Sequence, residues 1–417
     1  MFRALRSRNF ALLWSGTFAA NIGIWMQTIA LGWLIYGLTN SASWLGRVSF
    51  AGSAPSLIFG LVGGAIADRA DRKRILWGSA CIFAAGAFTL AFLTATGVIE
   101  IWMVILISLM TGTANAVYSP VFQAVIPTLV KAEDLMNAIS LNSISFNGAR
   151  ILGPALAGIV VARFGSSWCF ALNGCGFLVM VATALALDLP RRPPASHPPL
   201  WHTLRAGIVY ARRHRLIRAL ILLTAAMSLF GFPYIVLMPA FARSVLHLDV
   251  AGFGYLFSSV GAGAVVAGLA LALVGEVRRT GLVAVSFATA FGLLLVLLTT
   301  MRSLTQAMLV LATIGYTMIT SVATLNTLIQ VTVAEEMRGR VMSMITVCLF
   351  GLPTLGALLL GTLGDRIGIP YALALGGAIV AVTACVTLVA TPELRALTQR
   401  AGERLEAPLT AASDGSC

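Results

Sequence analysis

The chain has 417 residues, of which 59% are hydrophobic and 10% charged, and its mean hydropathy is +0.92. A soluble domain carries about 25% charge, so no water-soluble fold hides this much apolar surface, and lipid is the solvent for most of the chain. The net charge of +13 would point to nucleic acid in a soluble protein; here its placement in short loops accounts for it, and nucleic-acid binding is set aside.

The chain opens MFRALRSRNF, with three arginines before an apolar run. That run, Phe10 to Tyr36, is too long for the apolar part of a secretory signal and lacks a small-residue cleavage site, so it reads as a first spanning helix. A helix needs about 20 apolar residues to cross a hydrocarbon core ~30 Å thick. Twelve stretches qualify: 10–36, 44–67, 75–97, 100–127, 138–164, 167–188, 216–242, 251–275, 281–300, 304–333, 341–364 and 369–390. In lipid at this hydropathy only helices satisfy every backbone hydrogen bond. The expected fold is therefore an all-α membrane protein of twelve transmembrane helices.

Between the sixth and seventh stretches lies LPRRPPASHPPLWHTLRAGIVYARRHRLIR, long and rich in proline, arginine and histidine. It divides the chain into a six-helix bundle at 1–188, a linker at 189–215 and a second six-helix bundle at 216–390. Trp201 to Arg218 is expected to lie on the membrane surface as a basic amphipathic helix. The polar tail, 391–417, is read as disordered.

The two halves share an internal repeat. Val130–Gly165 aligns without a gap on Val333–Gly368, 203 residues further on. Matching pairs include Glu133/Glu336, Gly148/Gly351, Gly153/Gly356, Gly158/Gly361, Arg163/Arg366 and Gly165/Gly368. Shared apolar composition explains some identities, but shared glycines and polar boundaries point to duplication, which is a common plan in transporters.

Positive charge sets the orientation. With both termini on one side, that side collects about 22 Lys and Arg, while the other holds Arg163, Arg243, Arg302 and Arg366. Both termini and the linker are thus expected in the cytoplasm, with the chain in the cytoplasmic (inner) membrane.

The loop after the second span reads GAIADRADRKR. Asp68 ends the span, and Arg69, Arg72, Lys73 and Arg74 crowd the next turn. A carboxylate among four cations makes charge-assisted pairs. Two readings stay open: a positive-inside anchor, or a latch of Asp68, Arg69, Arg72 and Arg74 that holds one conformation and breaks in another. The pattern G-x-x-x-D-R-x-x-R-K-R resembles the signature loop of the major facilitator superfamily. Asp71 stands where that family usually has glycine. Asp tolerates a left-handed turn better than most residues, so the turn is expected to survive. The corresponding loop in the second half, GEVRRTG, keeps arginines but lacks the Asp-Arg pair.

The fifth span carries FNGARILGPALAG, which resembles the Gly-Pro motif of the superfamily's antiporters at Arg150, Gly153, Pro154 and Gly158. The preceding SPVFQAVIPTLVKAEDLMNAISLNS is similar to the drug-efflux branch that includes enterobactin exporters and macrolide-efflux proteins. The resemblance covers essentially the whole chain. It implies two six-helix bundles around a central cavity that opens alternately to each side. Read from the residues alone, Ala149, Gly153 and Ala157 form a small-residue stripe for close helix contact, and Pro154 removes a backbone hydrogen bond and bends the helix. This serves either ordinary packing or a tight seam between bundles. Arg150 is the one charge well inside a span. An intramembrane arginine costs at least ~2.5 kcal/mol unless paired or wetted, so it should face protein or cavity, with Asn147, Asn142 or a carbonyl as partner.

The resemblance also implies that spans one, four, seven and ten line the cavity. Their polar and aromatic faces agree: Asn21, Trp25 and Thr28; Asn115, Tyr118 and Phe122; Tyr234 and Met238 around Pro233; and Tyr316, Thr320 and Gln330, with Asn326 at the edge. Polar groups are costly against lipid, so these faces point inward, either to a guest or to interhelical hydrogen bonds in a closed core. A wall of aromatics, methionines and amides suits an amphiphilic guest.

No phosphate-binding G-x-x-x-x-G-K-[ST] loop occurs, and Lys73 and Lys131 are the only lysines. The four histidines lie in loops or the linker, the six cysteines are scattered, and no catalytic set converges, so neither an enzyme, a cofactor nor a metal site is expected. Asp68, Glu100, Asp188, Glu276 and Asp365 all fall near helix ends, which leaves the coupling carboxylate open. The expected function is a secondary active transporter: a proton-coupled exporter of amphiphilic small molecules, drugs or siderophore-like compounds, working by alternating access. The rivals are an uptake permease for a small metabolite, a non-transporting membrane sensor and a membrane enzyme.

Overall fold

A computed structural model of the chain describes residues 3–69, 71–187, 209–274, 280–392 and 394, with backbone but not side chains over 57–69. Every regular element among them is helical. The first half contains α1 (Arg8–Thr39), α2 (Ala42–Arg69), α3 (Arg72–Ala95), α4 (Ile101–Val125), α5 (Leu135–Phe164) and α6 (Ser166–Ala186). The second contains α7 (Arg215–Ser244), α8 (Val250–Val274), α9 (Thr280–Leu298), α10 (Leu304–Thr332), α11 (Glu335–Ile367) and α12 (Ile369–Ala390). Eleven of these are long and apolar enough to cross a membrane; the other, α2, is a 28-residue helix.

Local chemistry sets the ends. Asn40 closes α1 in the left-handed region at φ 46°, its N–H donating to Tyr36 O at 2.8 Å. Gly165 and Gly368, a repeat pair, end α5 and α11 at φ 86° and 97°, a backbone that side chains resist. Ser303 caps α10 by accepting from Gln306 N–H at 3.3 Å. The sequence places the start of the eleventh span at 341, but α11 begins at Glu335. Its first turn is polar, so hydropathy misses it, while Glu335 and Glu336 favour a helix N-terminus.

Two further expectations change. Asp71 does not occupy a left-handed turn. It sits at φ −65°, ψ 110° and caps α3, accepting from Lys73 N–H at 2.9 Å and Arg74 N–H at 3.4 Å. The seventh span is not a continuous α-helix. Met227–Gly231 forms a π turn in which Phe232 N–H donates to Met227 O at 2.9 Å, and Pro233 follows before the helix resumes at Tyr234. Of the surface helix expected over 201–218, residues 201–208 lie outside the described set, as does the tail apart from 391, 392 and 394. Residues 209–213 are helical, and the Tyr210 hydroxyl accepts from Ala334 N–H at 3.3 Å.

Within the first bundle α1 packs on α5 and α6, α3 on α4 and α6, and α2 on α4; within the second α8 packs on α10, α9 on α10 and α12, and α11 on α7 and α12. The bundles meet along two seams, α2 against α11 and α5 against α8. We call the side where α1 begins the N-terminal face and its opposite the far face.

Candidate substrate cavity and bundle seams

The repeat read in the sequence builds both seams. A Cβ on Gly158 would lie 3.1 Å from Ala251 Cα at the start of α8, and one on its repeat partner Gly361 would lie 2.6 Å from Ala42 O at the start of α2. One turn earlier, Pro154 O faces Gly254, and Ala357, 203 residues on, faces Gly46 with its carbonyl. Backbones touch where side chains are missing, the usual route to tight helix contact in lipid.

The seam face of α5 is Arg150–Ile151, Pro154 and Gly158. The expected stripe divides differently: Gly153 turns to α1, where its Cβ position lies 2.5 Å from Trp25 Cβ, and the Ala157 carbonyl meets Cys169 Sγ of α6 at 3.9 Å. A period of four drifts around a 3.6-residue helix, so one stripe reaches two neighbours.

The far half of the interface is closed. Gly261 of α8 approaches Arg150 O, and Ser258 Oγ donates to Ile151 O at 3.1 Å. The Arg243 guanidinium of α7 lies 5.4 Å from the Trp33 ring of α1, which also stacks on Phe253 of α8 at 5.9 Å. Asp365, in the last turn of α11, accepts from Ala42 N–H at 2.6 Å, from Ser43 N–H at 3.0 Å and from the Ser41 hydroxyl. A carboxylate opposes the dipole of its own helix there, but suits the N-terminus of α2.

Towards the N-terminal face the first bundle lines a cavity of about 840 Å³, walled mainly by α1, α4 and α5 with contributions from α2, α3 and α6. It runs from Gln27, Thr28 and Gly52 at mid-depth to Gln123, Ile126 and Pro127 at the end of α4. A lobe of about 290 Å³ shares Gln27, Thr28 and Thr111 with it and reaches Pro239 of α7 and Phe257 of α8. Asn21, Thr28, Asn115, Tyr118 and Phe122 line the main cavity. Tyr118 stacks on Phe122 at 5.7 Å and meets Phe83 edge-on at 5.5 Å, giving one wall an aromatic shelf.

The other expected wall residues lie elsewhere. Trp25 fills the α1–α5 contact, meeting Phe146 edge-on at 5.9 Å. Tyr234 and Met238 are buried in the core, each 1% exposed, and line neither space. Thr320 is buried and donates to Tyr316 O at 2.9 Å, while Tyr316 packs on Phe287. Gln330 donates to Asn326 Oδ1 at 3.3 Å, within α10. Periodicity marks a face as buried, but not whether that face meets a helix or a void.

The sequence reading omits Gln27, Gln123, Asn142 and Asn173 from the wall. Asn173 Nδ2 donates to Gln27 Oε1 at 2.8 Å, tying α6 to α1. A lone amide amid an apolar span is costly against lipid, so Asn173 carried a usable signal.

Arg150 meets neither Asn142 nor Asn147, whose Nδ2 donates to Ser143 O at 2.9 Å. Its guanidinium lies 5.8 Å from the Trp25 ring centroid and close enough to the Tyr234 phenol of α7 for electrostatic coupling. Of the expected latch, the side chains of Asp68 and Arg69 lie outside the described set. Arg74 Nε lies 3.8 Å from Asp71 in an exposed pair, worth little by itself. Lys73 Nζ donates to Leu187 O at 2.8 Å, holding α3 to the end of α6.

A family model described as "Transmembrane secretion effector" matches residues 1–414. The chain is 26% identical to the staphyloferrin A transporter of Staphylococcus aureus, over 90% of this chain and 94% of that protein. It is 24% identical to macrolide efflux protein A of Streptococcus pyogenes, covering 91% and 94%, and 26% identical to the enterobactin exporter EntS of Shigella boydii, covering 85% of each. Its fold matches an inward-facing bacterial homolog of the human lysosomal transporter Spinster, with TM-score 0.67 and 16% identity, over 95% and 98% of the two chains. A POT family transporter matches with TM-score 0.72 and 13% identity, over 93% and 96%. With twelve long helices among the described residues, in two repeat-related bundles, the chain is a multi-pass membrane transporter and not an enzyme, and it belongs to the transmembrane secretion effector family of the major facilitator superfamily.

Proposed function

We propose that the protein is a secondary active exporter of amphiphilic small molecules across the cytoplasmic membrane. The observation that carries this reading is the cavity of about 840 Å³, walled by amides and aromatics, reached from the N-terminal face and closed towards the far face. The excess of Lys and Arg in loops on the N-terminal face supports a cytoplasmic position for that face. A guest enters there and settles beside Tyr118 and Phe122. Rocking of one bundle on the other about the two seams then opens the far side.

In this reading Asp365 and the cap it gives α2 hold the far gate shut in the state described. Asp68, Arg69, Arg72 and Arg74 close the N-terminal face in the alternate state. Pro154 and the π turn of α7 are the points where helices bend as the seams exchange. The siderophore and macrolide relatives support export and the amphiphilic class of guest. With no phosphate-binding loop in the sequence, the proton gradient supplies the work.

The test is proton movement in energised everted vesicles offered a panel of dyes, antibiotics and a catechol siderophore. Substrate-triggered alkalinisation of the lumen, absent from vesicles lacking the protein, supports proton-coupled export. Uptake of the same compounds in right-side-out vesicles, driven by the same gradient, would reverse the direction.

A further inference from the structure

The charge of the guest is written into the site described above, and the argument rests on the export reading. Among the described residues, none that lines the main cavity or its lobe carries a charge. Among the described residues every Asp and Glu falls in a loop, in a short 3-10 turn or in the terminal turn of a helix. An organic cation entering the cavity therefore loses water and meets no carboxylate, a penalty that neutral amides offset only in part.

An anion meets a different environment. Arg150 is the one cation at mid-span. Phe146 lines the cavity one helical turn before it, and the Trp25 ring touches both: edge-on to Phe146 at 5.9 Å and 5.8 Å from the guanidinium. The guanidinium has no hydrogen bond and no ion pair among the described residues; the Trp25 ring lies 5.8 Å from it, and the Tyr234 phenol of the opposite bundle is near enough to act on its charge. Tyr234 Oη is itself buried without a partner. A guanidinium presents a planar fork of donors matched to a carboxylate, and leaving it unpaired in lipid is costly. The charged fork thus lies one helical turn beyond the cavity wall at Phe146, with the unsatisfied phenol hydroxyl of the opposite bundle in its neighbourhood, although neither residue lines the cavity in the state described.

We propose that Arg150, with Tyr234 beside it, is an anion-recognising subsite that makes the transporter selective for guests bearing a carboxylate or an ionised phenol and unfavourable to organic cations. The aromatic shelf and the amides hold the body of the guest, and Arg150 takes its acidic group. Because Tyr234 belongs to the second bundle, an anion held by both residues bridges the halves, so occupancy is felt at the seam.

The experiment uses the full-length protein in detergent and three dansyl fluorophores that brighten on leaving water: dansylglycine, dansylamide, and a dansyl bearing a trimethylammonium group. The expected order is carboxylate over neutral over cation, with about tenfold between the first two, the size of one charge-assisted hydrogen bond. Arg150→Gln should erase the advantage of dansylglycine and leave dansylamide unchanged. Arg150→Lys should keep part of it. Tyr234→Phe, which retains the ring, should lower carboxylate affinity alone. A cation that binds as well as the carboxylate, or a carboxylate-to-amide ratio untouched by Arg150→Gln, overturns the proposal; so does failure of all three to bind a protein that unfolds with its normal Tm. Export is read separately in vesicles: charge preference without uphill movement would sink the export reading and leave the subsite standing.

Discussion

The carboxylate of Asp365, in the last turn of α11, accepts the backbone N–H of Ala42, the first residue of α2, at 2.6 Å and so caps a helix of the opposite bundle. The repeat shows why this contact differs from its counterpart. At the other seam α8 carries its own cap, Asp249, which accepts from Gly252 N–H at 2.8 Å, and the position of α5 equivalent to Asp365 is Ala162. One seam is closed by helix packing and the Ser258–Ile151 hydrogen bond, with no carboxylate across it among the described residues. The other is closed by packing plus a carboxylate, which in the proposed alternating-access cycle lets go before the far face opens.

Asp365→Ala removes that carboxylate without touching either helix backbone. A cap of this kind contributes about 1 kcal/mol, which corresponds to roughly a fivefold shift in a two-state equilibrium. In a background with the native cysteines replaced by serine, Ser43→Cys reports on the seam, since Ser43 is 8% exposed when the far face is closed. Labelling by a membrane-impermeant maleimide from the far side should quicken several-fold in Asp365→Ala. An unchanged rate means that the contact does not hold the gate.

Gly254→Val and Gly46→Val should be equivalent lesions. Each puts side-chain carbons against a carbonyl of the facing helix, Pro154 O in one case and Ala357 O in the other. Overpacking costs typically ~1–3 kcal/mol, here charged to the far-closed state alone. Both variants should fold, label faster at Ser43→Cys and transport poorly. A variant that transports normally would show that its seam tolerates separation.

Asp71→Ala should lower the Tm of the purified protein, because two N–H groups at the start of α3 lose their acceptor. The expected cost is about 0.5–2 kcal/mol, with Asp71→Gly milder by comparison. A fall in transport without any fall in Tm would instead place Asp71 in the gating of the N-terminal face.

Gln27→Ala should strip Asn173 of its partner across α1 and α6. Asn173 is only 2% exposed, and its Oδ1 already lacks a donor. Leaving a buried amide unsatisfied costs roughly 1–3 kcal/mol. The Tm should fall, and the double variant with Asn173→Ala should recover part of the loss. Additive losses in the double variant would mean the two amides do not act as a pair.

These residues also mark how far the sequence was legible. Twelve apolar stretches fall on twelve helices because in lipid length and hydropathy leave few alternatives. Departures occur where polar chemistry sets an end, at Glu335 and Asp71, or where a helix breaks internally, as at Met227–Gly231. The repeat at Gly158 and Gly361 was visible, but its meaning needed both halves in place. Asp365 read as an ordinary end-of-helix acid, since nothing in its neighbourhood in the chain says that α2 lies across from it. Asn21, Tyr118 and Phe122 sit on the cavity wall, whereas Tyr234 and Thr320 are packed. All belong to inward faces, and only the packing of neighbouring helices decides which inward face meets a void.

The most direct test is a pair of distances measured by pulsed dipolar spectroscopy, with one spin-label pair across each face. Asn40 and Tyr371 are exposed on opposite bundles at the far face, and Lys131 and Arg338 are exposed on opposite bundles at the N-terminal face. Alternating access predicts a short far-face and a long N-terminal-face distance in the parent, and a second population in Asp365→Ala in which the first lengthens as the second shortens. Distances that stay fixed, or that lengthen together, would contradict it.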